Sequence, residues 1–327
     1  MSRPRAGAVF RWTPGEGPDA EALARLQRRF PRPRVPMGDA WFMDDARRMY
    51  TSLLSPDPAE WSRDDLRGAL RALASGPGCF GHMREWSLWF PYIVHAALPF
   101  VRGPSFDSLY GELVSAVMVH CPDPASPPQG DGFIEDVLYT LGRMPMAASC
   151  WDERRWTSHN AFPTIDHTVR GWVLPDSGNL HAACTLVARY LDEAALDGWL
   201  ASALDINDPL WRAGMVSWLA HVVPLLADPS RWPAALDIGP GSWDASHGVT
   251  GITPAGECGA GTGPFPFFDP ARRMALATAV RRHAARSRLR AWGATLQALP
   301  GAPGQWDAFC GDYAAACRRI VAAYGLE

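Results

Sequence analysis

Two histidines and an aspartate, His159, Asp166 and His167, fall close together in one irregular stretch, 145–177. Such side chains ligate divalent metals or serve as general bases. Their spacing matches no ligand motif, so no metal or cofactor is expected from them. The same stretch holds Trp151, Arg154, Arg155, Trp156 and Trp172. Trp and Arg carry much of the energy of protein interfaces. The stretch therefore reads first as a binding face anchored by Trp151, Arg154, Arg155 and Trp156.

A second irregular stretch, 234–268, gathers Trp243, Asp244, His247, Glu257 and Cys258 among many glycines. Asp–His and Cys–His pairs are the raw material of nucleophilic catalysis. No helix N-terminus is evident beside Cys258 to lower its pKa. The fragment 259–263, GAGTG, lacks the lysine of a phosphate loop and no strand precedes it. Trp243 and Asp244 are expected to add contacts to the binding face. The rival reading is a hydrolase or lyase, metal-dependent or not, that uses His159, Asp166, His167 and His247.

Composition narrows the chemistry further. All 31 basic residues among 327 are arginines. Schiff-base lysines, phosphate-loop lysines and Ser–Lys dyads are excluded with the missing lysine. The net charge of −3 argues against a dedicated nucleic-acid binder. Seven arginines between 272 and 290 scatter around a helix axis rather than forming a phosphate-tracking stripe, and salt bridges to neighbouring acids account for them better. Arginine without lysine, with abundant Gly, Pro and Ala, has the look of a GC-rich bacterial coding sequence. The seven cysteines include no CxxC pair and read as reduced, mostly buried thiols. The longest apolar stretch, Leu88 to Val101, contains Pro91, His95 and Pro99 and is too short to span a bilayer. A cytoplasmic protein without membrane or nucleic-acid contacts is expected.

The elements that must position these loops are helices. Apolar residues recur with helical spacing behind Ser62, Asp192, Asp208-Pro209 and Asp269-Pro270, all strong N-terminal signals. The spacing predicts helices over 39–54, 63–75, 83–98, 105–120, 133–141, 180–190, 193–204, 210–226, 270–299 and 305–324. The segment 210–226 is apolar on nearly all sides and must be buried, with Leu210, Met215, Trp218, Leu219 and Val222 inside. No stretch alternates with period two for long enough to make a convincing strand, although either loop could hold a short hairpin. The expected fold is all-α, with a Pro/Arg-rich N-terminal arm over 1–36, built around one short helical pattern at 19–30 and packed loosely or partly disordered, and one helical domain over 37–327.

The stretch 178–227 reads as a helix pair followed by Asp-Pro-Leu-Trp-Arg opening a third helix. In this texture it resembles HEAT-like α-solenoids, which implies an irregular helical array; a compact multi-helix domain is the alternative. Arrays of this kind bind other proteins. The expected function is a non-catalytic protein-binding protein, of the kind exemplified by bacterial immunity proteins that block a cognate toxin.

Overall fold

The computed structural model describes residues 9–34, 50–74, 83–101, 109–121, 123–152, 155–156, 178–227, 268–298 and 305–324. Among them the fold is all-α. The helices are α1 (Ala20–Arg29), α2 (Arg63–Ala74), α3 (Met83–Ala96), α4 (Leu98–Val101), α5 (Leu109–His120) and α6 (Phe133–Thr140). They continue as α7 (Gly178–Tyr190), α8 (Glu193–Asp205), α9 (Pro209–Ala227), α10 (Pro270–His283), α11 (Arg286–Gln297) and α12 (Gln305–Tyr324). One two-residue antiparallel ladder, β1 (Trp151–Asp152) with β2 (Arg155–Trp156), is the sheet among the described residues.

The helix starts follow their caps. The Ser62 Oγ accepts from the Asp65 amide, the Asp192 carboxylate from Ala194, Asp208 from Trp211, and Asp269 from both Ala271 and Arg272. Each cap satisfies an amide that the helix cannot.

Helices α7 and α9 form the centre. Helix α7 packs against α5, α6 and α9, and α9 packs against α10, α11 and α12. In α9, Trp211, Met215, Trp218, Leu219 and Val222 are all fully buried. Leu210 departs from the expectation: it lies in the first turn and is half-buried, packed against the core from its edge.

Two further expectations are corrected. The N-terminal segment is not loosely packed where it is described. Phe10, Trp12 and Leu26 are buried, and α1 lies against α6 and α3. The Trp12 indole N–H donates to the Gly142 carbonyl at 2.9 Å, and its amide to Ser202 Oγ at 3.1 Å. Second, the long pattern from Pro270 is two helices broken at Ala284-Ala285. At about 100° per residue, Leu289, Trp292 and Leu296 would lie on the face opposite Leu276 and Val280 in one continuous helix. The break resets the phase so that both sets are buried. Over the stretch expected as the helix 39–54, residues 51–54 form a 3-10 turn, and 39–49 lie outside the described residues.

Three of the seven clustered arginines, Arg272, Arg282 and Arg288, pair with neighbouring acids among the described residues. Arg282 pairs with Asp197 at 2.9 Å, Arg288 pairs with Asp205, and Arg281 lies over the Tyr324 ring at 4.6 Å. No helix among the described residues is long and apolar enough to cross a membrane.

Candidate functional site

A chain of tryptophans fixes the short ladder to the core. Trp151 lies 5.4 Å from Trp211, Trp211 is 5.5 Å from Trp12, Trp12 is 5.3 Å from Trp199, and Trp199 is 5.9 Å from Trp218, centroid to centroid. Most of these contacts are edge-to-face, the geometry that aromatic quadrupoles favour. The Trp151 indole N–H also donates to the Pro145 carbonyl at 2.8 Å. β1 is therefore anchored from behind, and the register sets Trp151 opposite Trp156 and Asp152 opposite Arg155.

Of the candidate residues, Trp151, Arg155 and Trp156 fall on this ladder. Arg154, His159, Asp166, His167, Trp243, Asp244 and His247 lie outside the described residues. The structure thus joins Trp151, Arg155 and Trp156 and makes no statement on the rest.

Sequence reading missed a second feature, a groove of about 760 Å³. Its walls come from the segment at Val9 and Phe10, the turn at 123–125, α6, the end of α7, and the first turns of α8 and α10. Phe10, Ile134, Leu138, Tyr139 and Leu191 give it an apolar floor. Val9, on the wall, is 55% exposed and is one of the few large apolar side chains exposed among the described residues. Asp123, Glu135, Asp192, Glu193 and Asp269 carry the acidic groups of the lining, against the single cation Arg272.

Each charge in the groove has a traceable position. Asp192 and Asp269 are there because they cap α8 and α10. Asp123 closes its own turn by accepting from the Ala125 amide at 2.9 Å. Glu135 and Glu193 stand in the first turns of α6 and α8, where the helix dipole favours acids. Neither takes part in an ion pair among the described residues. Arg272 is only 8% exposed, and its Nη1 donates to the Ala188 and Leu191 carbonyls at the end of α7. Burial lowers its pKa, an effect opposed by the nearby Asp269.

Several other buried ionisable groups are tied into the fold. Asp136 accepts from Arg25 at 2.7 Å, yet burial outweighs that pairing and raises its pKa. Glu112 accepts from Arg71 at 2.7 Å. His95 meets the Phe30 carbonyl at 2.8 Å, and burial lowers its pKa. His120 stacks on Phe90 at 4.5 Å, and burial drives its pKa down to about 4. Both imidazoles are therefore neutral near pH 7. Burial raises the pKa values of the Cys121, Cys150 and Cys184 thiols, Cys150 to about 12. Among the described residues no group of three His, Cys, Asp or Glu side chains is arranged to hold a metal ion.

No protein-family model, curated protein or solved structure matches this chain.

Proposed function

We propose that this chain is a non-catalytic helical protein that binds another protein across the acid-lined groove. The supporting observation is the groove itself: an apolar floor with an exposed Val9, walled by well-packed helices. A concave cleft with an apolar lining and a few polar groups at its rim is the usual shape of a binding site. The HEAT-like texture of 178–227 supports the same reading, since stacked helices present binding surfaces. The finer proposal is an immunity protein that blocks a cognate toxin. Within it, Trp151, Arg154, Arg155 and Trp156 act as further anchors, with Trp243 and Asp244 from the second stretch.

The test is a photo-crosslinker at Val9 in the full chain, in cells of its source organism. The reading expects one dominant protein adduct. That adduct disappears when Ala125, exposed on the turn lining the groove, is changed to Trp while the melting temperature holds. An adduct that survives Ala125→Trp overturns the groove as the site. Loss of function in His159→Ala/His167→Ala at unchanged stability, with Ala125→Trp and Trp156→Ala/Arg155→Ala silent, would establish the hydrolase or lyase reading instead.

A further inference from the structure

The groove's charge points to the chemistry of its occupant. We infer that it takes a cationic, amphipathic segment of the partner, an arginine- or lysine-bearing stretch whose apolar side chains fill the floor. This inference rests on the protein-binding reading above.

Charge and shape both select the occupant. Five carboxylates against one arginine leave the lining with a net charge of −4, more negative than the −3 of the whole chain. The one cation there, Arg272, is buried and spends its Nη1 donor on the Ala188 and Leu191 carbonyls. It is thus a poor counter-charge for a ligand. The N-termini of α8 and α10 could attract anions, but each is already capped by its own aspartate, Asp192 or Asp269. An anionic ligand would meet five carboxylates and two occupied helix ends. Glu135 and Glu193 have no ion-pair partner among the described residues and can meet incoming cations without breaking an existing pair. A purely polar cation would leave the floor formed by Phe10, Ile134 and Leu138 unfilled. An amphipathic segment satisfies both the floor and the acids. The volume, about 760 Å³, lies within the range of sites that enclose a compact ligand or a few side chains.

The probe is a fluorescein-labelled peptide of alternating arginine and leucine, with a glutamine-for-arginine counterpart, titrated into the full chain by fluorescence anisotropy. The arginine peptide should bind, and more weakly as salt is raised, because facing charges at a rim are screened. The double variant Glu135→Gln/Glu193→Gln should weaken it roughly tenfold, about what two rim-exposed pairs contribute. These positions cap no helix by side-chain hydrogen bond, so the fold should persist, with circular dichroism as the check. Asp64→Asn, on α2 outside the groove, should change nothing. Equal affinity of the arginine peptide for the double variant overturns the inference, as does equal binding of the glutamine peptide or binding of neither. Those results leave the groove standing as a protein site provided Ala125→Trp still abolishes the Val9 adduct. A surviving adduct defeats the wider reading as well.

Discussion

The indole of Trp12 stands edge-on to that of Trp199, with centroids 5.3 Å and planes 89° apart. That contact ties the N-terminal segment to α8, and with it one wall of the groove to another. Removing the Trp12 ring should loosen both. Trp12→Ala should cost about 3–5 kcal/mol, the range for deleting a fully buried aromatic. Chemical denaturation measures it. A loss below about 1 kcal/mol would mean that the segment contributes little to the core.

Helix α9 offers an internal comparison. Met215 is fully buried and touches Cys184, Sγ to Sδ at 3.6 Å, whereas Leu210 is half-buried at the helix start. Met215→Ala should cost about 2–5 kcal/mol. Leu210→Ala should cost distinctly less. Denaturation midpoints at equal m-values decide it, and equal losses would contradict the stated depth of either residue.

Arg272 closes the end of α7 from the first turn of α10. Arg272→Met keeps an unbranched apolar stem but removes the guanidinium, which strips the Ala188 and Leu191 carbonyls of their donor. Each buried group left unpaired costs about 1–3 kcal/mol. Thermal unfolding should show a clear drop for Arg272→Met, while Arg273→Met, half-buried one residue on, changes little.

Acid should destabilise the protein through His120. Its folded pKa, about 4, lies below the ordinary 6.5 because burial penalises the charged ring. Between these values the unfolded chain binds more protons, so stability falls as the pH drops from about 6.5 to 4. His95 is shifted in the same direction. The His120 contribution reaches at most about 3 kcal/mol. His120→Gln should flatten the slope of unfolding free energy against pH in that window, and an unchanged slope would contradict the assignment.

Much of the helical frame was legible because it is local. Asp192, Asp208 and Asp269 announce their helices by a cap visible in the sequence, and the buried leucines of α2 follow helical spacing. In the N-terminal segment the helix at 19–30 was legible from its spacing, but the tight packing of 9–12 was misread because its signal is short. Val9 and Arg11 are exposed while Phe10 and Trp12 are buried, an alternation of four residues among Pro, Gly and Arg. The break at Ala284-Ala285 carries no Pro or Gly, and only the switch of apolar face between Val280 and Leu289 betrays it.

The groove was not legible for a different reason. Asp123, Glu135, Glu193 and Asp269 come from separate stretches, and each taken alone is an ordinary turn, cap or first-turn acid. Only the packing of α6, α7, α8 and α10 brings them to one opening. The ladder falls in 145–177, one of the two stretches read as able to hold a short hairpin, but its position at Trp151 was not legible, because the tryptophan chain that anchors it spans segments far apart in sequence.

Amide hydrogen exchange on the full chain, with and without the arginine–leucine peptide, locates the occupied surface. Exchange should slow in α6 and over 191–195, the backbone that walls the groove. Protection confined to 145–177 or 234–268, with α6 and 191–195 unchanged, would contradict the groove as the site.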